Sequence, residues 1–236
     1  MLEICAANLQ SALAAQRAGA QLIELCSALD AGGLTPSAGL IQAVCIQLTI
    51  PVNVLIRPRE GHFYYTDAEL AIMLDDIRFC REAGANGVVI GALTPDSQLN
   101  LEQMAALVEA AEGLDITCHR AFDFTPDPLA ALDTLVALGI PRVLSSGQAA
   151  SAFEGRFLLK KLVQHAAGRI SIMPGAGINA ANIAELAKTT GSREFHLSGR
   201  KKVEQVFPDK KIPGLELEYW ESAENAIREV LEVLRP

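Results

Sequence analysis

Short apolar runs alternate with longer amphipathic segments along most of the chain. The short runs are typical of strands, and the longer segments place apolar residues at the spacing of helices. The predicted strands cover residues 1–5, 21–26, 52–57, 87–91, 115–120, 142–146, 170–173 and 193–197. The predicted helices cover residues 8–18, 37–48, 66–83, 101–111, 127–138, 155–167, 179–188 and 221–234.

This order predicts the fold class. Eight strands, each followed by a helix, match the element count of the (β/α)8 TIM-type barrel, and a chain of 236 residues has a suitable length. Strands without strict alternation fit a parallel sheet that helices cover. The alternative is an open, doubly wound α/β sheet with a switch point in mid-chain. The uniform repeat and the lack of a glycine fingerprint after the first strand favour the barrel, as a single domain spanning residues 1–236.

Composition and charge exclude several classes of function. The net charge of −8 argues against nucleic acid or an anionic membrane as partner, because both require a basic patch. No apolar run reaches the roughly 18 residues that a membrane span needs. The N-terminus lacks the basic and apolar regions of a signal peptide. Five cysteines without CxxC spacing predict a reduced, cytoplasmic protein with free thiols.

Three strands carry a glutamate two residues before a cysteine or histidine. Side chains two positions apart on a strand share a face, and a closed ring would make the last, first and second strands neighbours. The sequence therefore predicts that functional side chains gather there. The pairs are Glu3/Cys5, Glu24/Cys26 and Glu194/His196.

A metal site is the first interpretation of these strand ends. Thiolate and imidazole ligands suit soft or borderline ions such as Cu(I) and Zn(II). Cys5, Cys26 and His196 would converge, with His119 farther away across the barrel. The alternative is that the cysteines are buried as small hydrophobic side chains.

An acid/base or anion site is the second interpretation, because active sites of these barrels lie at the C-terminal ends of the strands. His119 or Glu24 would serve as general acid or base, with Asp123 nearby. Buried glutamates would need cationic partners, for which Arg57, Arg120 and Arg59 are the candidates. The loops after the seventh and eighth strands occupy the usual phosphate position, although glycines also simply make tight turns. The candidate anion-binding residues are Arg57, Arg59, Arg120, Ser146, Gly147, Gly175, Gly177, Ser198 and Gly199.

Six short motifs follow one another along the chain at regular positions: ELC at 24–26, GGLTPS at 32–37, IRPR at 56–59, HRAFD at 119–123, SGQ at 146–148 and EFH at 194–196. In this order and at this spacing they resemble the copper homeostasis protein CutC family. The resemblance covers roughly residues 1–199 and implies a (β/α)8-type barrel, a cytoplasmic location and a homo-oligomer built from dimers. It also implies a role in copper tolerance, with Cys26, and Cys5 with it, as Cu(I) ligands. Residues 60–62 depart from the family pattern, and nothing is carried over to residues 200–215.

Two functions remain open at this point. The first is a cytoplasmic copper-binding protein that uses Cys5 and Cys26. The second is a barrel enzyme acting on a phosphorylated or carboxylated small metabolite, because arginines at strand ends suit an anion better than copper. The first should depend on the two cysteines and the second on Arg57.

Overall fold

Eight parallel strands form the central barrel of the structure, a computed structural model that describes residues 1–203 and 218–235. The strands follow one another around the sheet in sequence order, with β8 beside β1. This order confirms the (β/α)8 prediction, because a doubly wound sheet would reverse direction at a switch point. The strands are β1 (Leu2–Ala6), β2 (Leu22–Leu25), β3 (Val52–Leu55), β4 (Gly87–Ile90), β5 (Asp115–Cys118), β6 (Arg142–Ser145), β7 (Ser171–Pro174) and β8 (Phe195–Leu197).

Within residues 1–203 and 218–235, eight α-helices surround the strands. Asparagine, serine, threonine or aspartate begins most of them and accepts hydrogen bonds from the first-turn amides; Thr66 and Glu69 form a complete capping box. The helices are α1 (Leu9–Ala18), α2 (Ala38–Gln47), α3 (Asp67–Glu82), α4 (Leu101–Ala110), α5 (Pro128–Ala137), α6 (Arg156–Ala166), α7 (Ile183–Thr190) and α8 (Glu224–Val233).

The start of α7 differs from the prediction by several residues. The sequence predicts a helix from Asn179, but the helix begins at Ile183. The Asn179 side chain accepts from the Ala181 amide, and the Asn182 side chain accepts from the Asn179 amide. These local bonds compete with helical ones, as asparagine side chains often do. The turn lengthens the loop after β7.

The barrel closes between its last and first strands. Glu3 of β1 pairs in register with His196 of β8, and Cys5 pairs with Glu24 of β2. A single bridge between Gly175 and His196 links β7 to β8, so the ring is nearly closed. A Cβ at Gly175 would lie 2.5 Å from the Leu144 side chain and 3.3 Å from the His196 Cβ. A side chain at position 175 would therefore require Leu144 to move where β7 and β8 meet.

Charged side chains fill the N-terminal end of the barrel. Arg142 donates to Glu194 at 2.8 Å and to Asp115 at 2.6 Å, and Glu194 also accepts from the Ser171 hydroxyl. The three charged residues lie at or just before the starts of β6, β8 and β5. Glu194 is thus far from the strand ends where the sequence suggested chemistry, and its cationic partner is Arg142 rather than Arg57, Arg59 or Arg120.

A two-stranded antiparallel sheet follows the barrel. It pairs β9 (Arg200–Val203) with β10 (Tyr219–Ser222), and neither strand was predicted. The Ser222 amide donates to the Ser11 hydroxyl of α1, which anchors this sheet and α8 to the first helix. The remainder of the 200–215 segment lies outside the described residues. No helix in the described part of the chain is long and apolar enough to cross a membrane.

Candidate functional site

A cavity of about 390 Å³ opens at the C-terminal ends of the strands. This is the end at which barrel enzymes place their sites, and the volume lies within the range of small-molecule pockets. One wall comes from the three strands β8, β1 and β2, and the rest of the lining comes mainly from the loops after β2, β3, β5, β7 and β8. The side chains that carry chemistry in its lining are Cys5, Glu24, Arg57, His119, Arg120, His196, Ser198 and Arg200.

Two cysteine sulfurs lie in contact beside a buried carboxylate. The Sγ atoms of Cys5 and Cys26 are 3.4 Å apart, and the Cys5 thiol lies 3.4 Å from Glu24 Oε1. All three residues are buried. The hydrogen bond with Cys26, burial and the nearby Glu24 charge together raise the pKa of the Cys5 thiol well above its ordinary value. The pocket therefore resists a bare thiolate unless a cation compensates its charge.

His196 completes this wall through a bond to Glu3. Its Nδ1 lies 2.7 Å from Oε1 of Glu3, which is fully buried. Burial alone would lower the pKa of His196, but the Glu24 and Glu3 carboxylates outweigh it and raise that pKa well above its usual range. Burial, with the Glu3 charge adding to it, raises the pKa of Glu24. The raised pKa values of Cys5, Glu24 and His196 therefore all favour the protonated forms of these side chains.

The same wall contains the donor atoms of a metal site. One ligand atom each from Cys5, Glu24 and His196 lies within 4.8 Å of the others. Because Nδ1 of His196 is bonded to Glu3, its Nε2 is the nitrogen left for a ligand, as in carboxylate–histidine–metal arrangements. Sulfur and imidazole donors fit a soft or borderline ion. The donor atoms of Cys5, Glu24 and His196 therefore suit a soft or borderline metal ion.

Arg57 follows β3, lines the cavity and is 6% exposed. Its guanidinium donates to the carbonyl oxygens of Ala31 and Gly33, both at 2.8 Å, and of Gly61 at 2.9 Å. Its Nε is buried and has no partner among the described residues. The buried cation joins two loops but is not neutralised by a carboxylate in the described part of the chain.

His119 is a neutral side chain beside Arg57. Burial and the Arg57 charge lower the pKa of His119 to about 3. Nδ1 accepts a hydrogen bond from the Ala121 amide at 3.1 Å, so the neutral ring carries its hydrogen on Nε2. That Nε2 is buried without a partner in the described residues. His119 therefore presents a hydrogen-bond donor, and it is poorly suited to serve as a base.

Asp123 organises the loops after β5 and β6. Its carboxylate accepts from the Ser145 hydroxyl at 2.6 Å, from the amide and hydroxyl of Ser146, and from Arg120 Nε at 2.8 Å. The Asp123 side chain is 4% exposed. These bonds occupy both oxygens, so Asp123 positions Arg120 at the cavity rather than lining it. Gly147 sits behind the same network, where its amide donates to Ser145.

Only some residues of the predicted phosphate loops line the cavity. Gly177 and Ser198 do so, whereas Gly175 forms the β-bridge to His196 that links β7 to β8. Gly199 packs against α8, where an added Cβ would lie 2.9 Å from Ile227.

Arg59 lies outside the cavity lining. Its Nε is 2.5 Å from Glu69, and it also donates to the carbonyl oxygens of His62 and Tyr64. The structure thus separates Arg59 from Arg57, although the two are neighbours in sequence and share one motif.

Sequence reasoning missed several cavity residues. Arg200 lines the mouth and pairs with Asp30 at 2.8 Å. Its position directly after Gly199, at the end of the eighth strand, could have indicated this. Phe63 also lines the cavity, with its ring 5.0 Å from that of His119 and below the Arg57 guanidinium. Nothing in the local pattern distinguishes Phe63 from the other aromatic residues of its loop.

Comparison with known proteins identifies the family. The model of the CutC family matches residues 1–201. A CutC family protein of Pasteurella multocida is 50% identical over 199 residues, covering 84% of this chain and 82% of its own. A human protein named copper homeostasis protein cutC homolog is 47% identical over 200 residues, covering 85% and 73%. The crystal structure of CutC from Streptococcus agalactiae superposes with a TM-score of 0.80 at 36% identity, covering 84% of this chain and 98% of that one. The chain belongs to the CutC family.

Proposed function

We propose that this protein binds Cu(I) at Cys5 and Cys26 and serves copper homeostasis. The observation that carries the proposal is the 3.4 Å contact between the Sγ of Cys5, which lines the cavity, and the Sγ of Cys26, which is buried behind the lining. Two thiolates can hold Cu(I), and His196 Nε2 supplies a third donor from the adjacent strand. The name of the human relative supports the same role.

The electrostatics of the wall favour a cation. Glu3 and Glu24 are buried carboxylates, and each has one oxygen without a hydrogen-bond partner among the described residues. Unpaired buried acceptors are costly, and a positive ion beside them offsets that cost. A metal ion also ionises a coordinating thiol outright. Cu(I) binding would therefore release protons and compensate the carboxylates at the same time.

Anaerobic titration tests the proposal. Cu(I) is supplied from a chromophoric chelator to the wild-type protein, to a Cys5→Ser/Cys26→Ser variant and to a Cys45→Ser control. Cys45 is half-buried on α2, away from the cavity lining. We expect one tightly bound Cu(I) per chain in the wild type and the control, and loss of that binding in the double variant. Binding that ignores the loss of both sulfurs would overturn the proposal.

A cytoplasmic location and a homodimer or larger homo-oligomer belong to the same proposal. The five cysteines are all free thiols, which suits a reducing compartment. Fractionation of cells with an antibody tests the location, and light scattering on the purified protein tests the assembly. Recovery in an oxidising compartment, or a monomeric mass, would contradict the respective part.

A further inference from the structure

We propose that the cavity binds a phosphorylated small metabolite through donors that the copper proposal does not use. Two buried side-chain donors of the cavity lining have no partner among the described residues. Arg57 Nε and His119 Nε2 are buried, belong to residues that are 6% and 5% exposed, and have no hydrogen-bond partner among the described residues. Unmet buried donors are costly, so an acceptor-rich ligand is the group that would satisfy them.

The Arg57 charge points to an anion. The Arg57 guanidinium donates to carbonyl oxygens and packs on the Phe63 ring, and it has no carboxylate partner among the described residues, whereas Arg120 and Arg200 pair with aspartates. A buried charge without a counter-ion is destabilising, and a bound anion would remove that cost.

Backbone donors specify phosphate. The amides of Gly177, Ile178 and Ser198, in the loops after β7 and β8, donate to no acceptor in the described residues, and all three residues line the cavity. Loops at this position bind phosphate in many barrels. A phosphate monoester offers the several acceptor oxygens that these donors require.

The cavity size limits the metabolite. At about 390 Å³ the space suits a molecule near the lower end of the range for ligand pockets. The phosphate would lie on the β7 and β8 loops, and a carbonyl, carboxylate or further phosphate oxygen would face Arg57 and His119. The neutral His119 ring carries its hydrogen on Nε2 and would donate a hydrogen bond to that oxygen.

The test uses metal-free protein and ¹H–¹⁵N NMR titration at constant ionic strength. The probes are inorganic phosphate, glycerol 3-phosphate, acetate and glycerol. We expect saturable shifts at the Gly177, Ile178 and Ser198 amides with both phosphates, stronger binding of glycerol 3-phosphate, and no saturation with acetate or glycerol. Absence of saturable shifts would overturn the proposal, and saturation by acetate as tight as by phosphate would overturn its assignment to phosphate.

Two arginine variants locate the cation. Arg57→Met should weaken glycerol 3-phosphate binding by on the order of tenfold or more, because a charged donor is lost from a buried wall. Arg59→Met is the matched control, because Arg59 belongs to the same motif but hydrogen-bonds to Glu69 outside the cavity lining. The affinity of this variant for glycerol 3-phosphate should equal that of the wild type. Equal effects of the two variants would contradict the proposal. The wild-type amide shifts remain a test if Arg57→Met folds poorly.

The Cys5→Ser/Cys26→Ser variant separates this site from the copper site. It should bind glycerol 3-phosphate as the wild type does, because neither sulfur is one of the proposed phosphate donors and serine is no larger than cysteine. Loss of phosphate binding in that variant would contradict the independence of the two sites. Failure of Cu(I) binding in the wild type would leave the phosphate titration unaffected.

Discussion

Glu3 and His196 join the first and last strands of the barrel through a hydrogen bond of 2.7 Å between Oε1 and Nδ1. The two residues are also register partners, so one pair serves both the closure of the ring and the orientation of the imidazole. A fully buried carboxylate behind a histidine fixes the ring and increases its basicity. The pair of strands β1 and β8, which helps to close the barrel, therefore also positions the candidate metal ligand His196.

Replacing Glu3 by glutamine should weaken Cu(I) binding. The amide keeps an acceptor for Nδ1 but removes the charge that supports the imidazole, and loss of such a partner costs about 10–100-fold in metal affinity. Chelator competition measures the change. Glu194→Gln is the control, because Glu194 binds Arg142 at the other end of the barrel. Equal losses of affinity in both variants would refute a specific role for Glu3.

Asp123→Asn should destabilise the fold. The carboxylate accepts from Ser145, Ser146 and Arg120, and an amide group cannot accept all of these bonds. We expect the free energy of unfolding to fall by about 2–3 kcal/mol, the usual cost of losing hydrogen bonds to a buried charge. Urea denaturation measures it. Asp127→Asn, at the N-cap of α5, should be nearly neutral because asparagine caps a helix as well as aspartate does.

Gly91→Ala should disturb His119. A Cβ at Gly91 would lie 2.5 Å from Cε1 and 2.7 Å from Nδ1 of the imidazole, which the buried surroundings hold in place. Overpacking of this kind costs about 1–3 kcal/mol, and the ring should shift. Urea denaturation and the NMR signals of the imidazole report the two effects. Gly39→Ala on α2 has open space around its Cβ and should be neutral or stabilising by up to about 1 kcal/mol.

Acid should destabilise the protein through His119. The native pKa of His119 is lowered to about 3 from an ordinary value of 6.5, so between these values the unfolded state binds more protons. Stability from this residue therefore falls as the pH decreases through 6.5, with a slope that approaches about 1.4 kcal/mol per pH unit below about pH 5.5. The raised pKa of His196 acts in the opposite direction and only above pH 6.5, so the two windows do not overlap.

Urea denaturation at pH 6.5 and pH 5.5 in the wild type and in His119→Asn measures this slope. The asparagine variant lacks the titrating ring, and its stability should fall less over that interval by about 1 kcal/mol. An unchanged slope in the variant would mean that the imidazole does not control this pH dependence.

The sequence by itself determined the barrel and the faces of its strands. Alternation along a strand is local, so Glu3 with Cys5 and Glu24 with Cys26 could be assigned to shared faces without knowing any neighbour. The count of strands and helices then made the last and first strands adjacent, and the structure confirms both. Capping residues such as Thr66 placed helix starts for the same reason, because their hydrogen bonds are local.

Only the tertiary structure decided which charged groups meet. The height of each side chain in the barrel depends on the register between strands, and the sequence pattern does not encode it. Register places Cys5 opposite Glu24 and Glu3 opposite His196, whereas Glu194, two residues from His196, lies at the other end with Arg142. The β9–β10 pair was missed because its strands are far apart in sequence and gain their stability from each other.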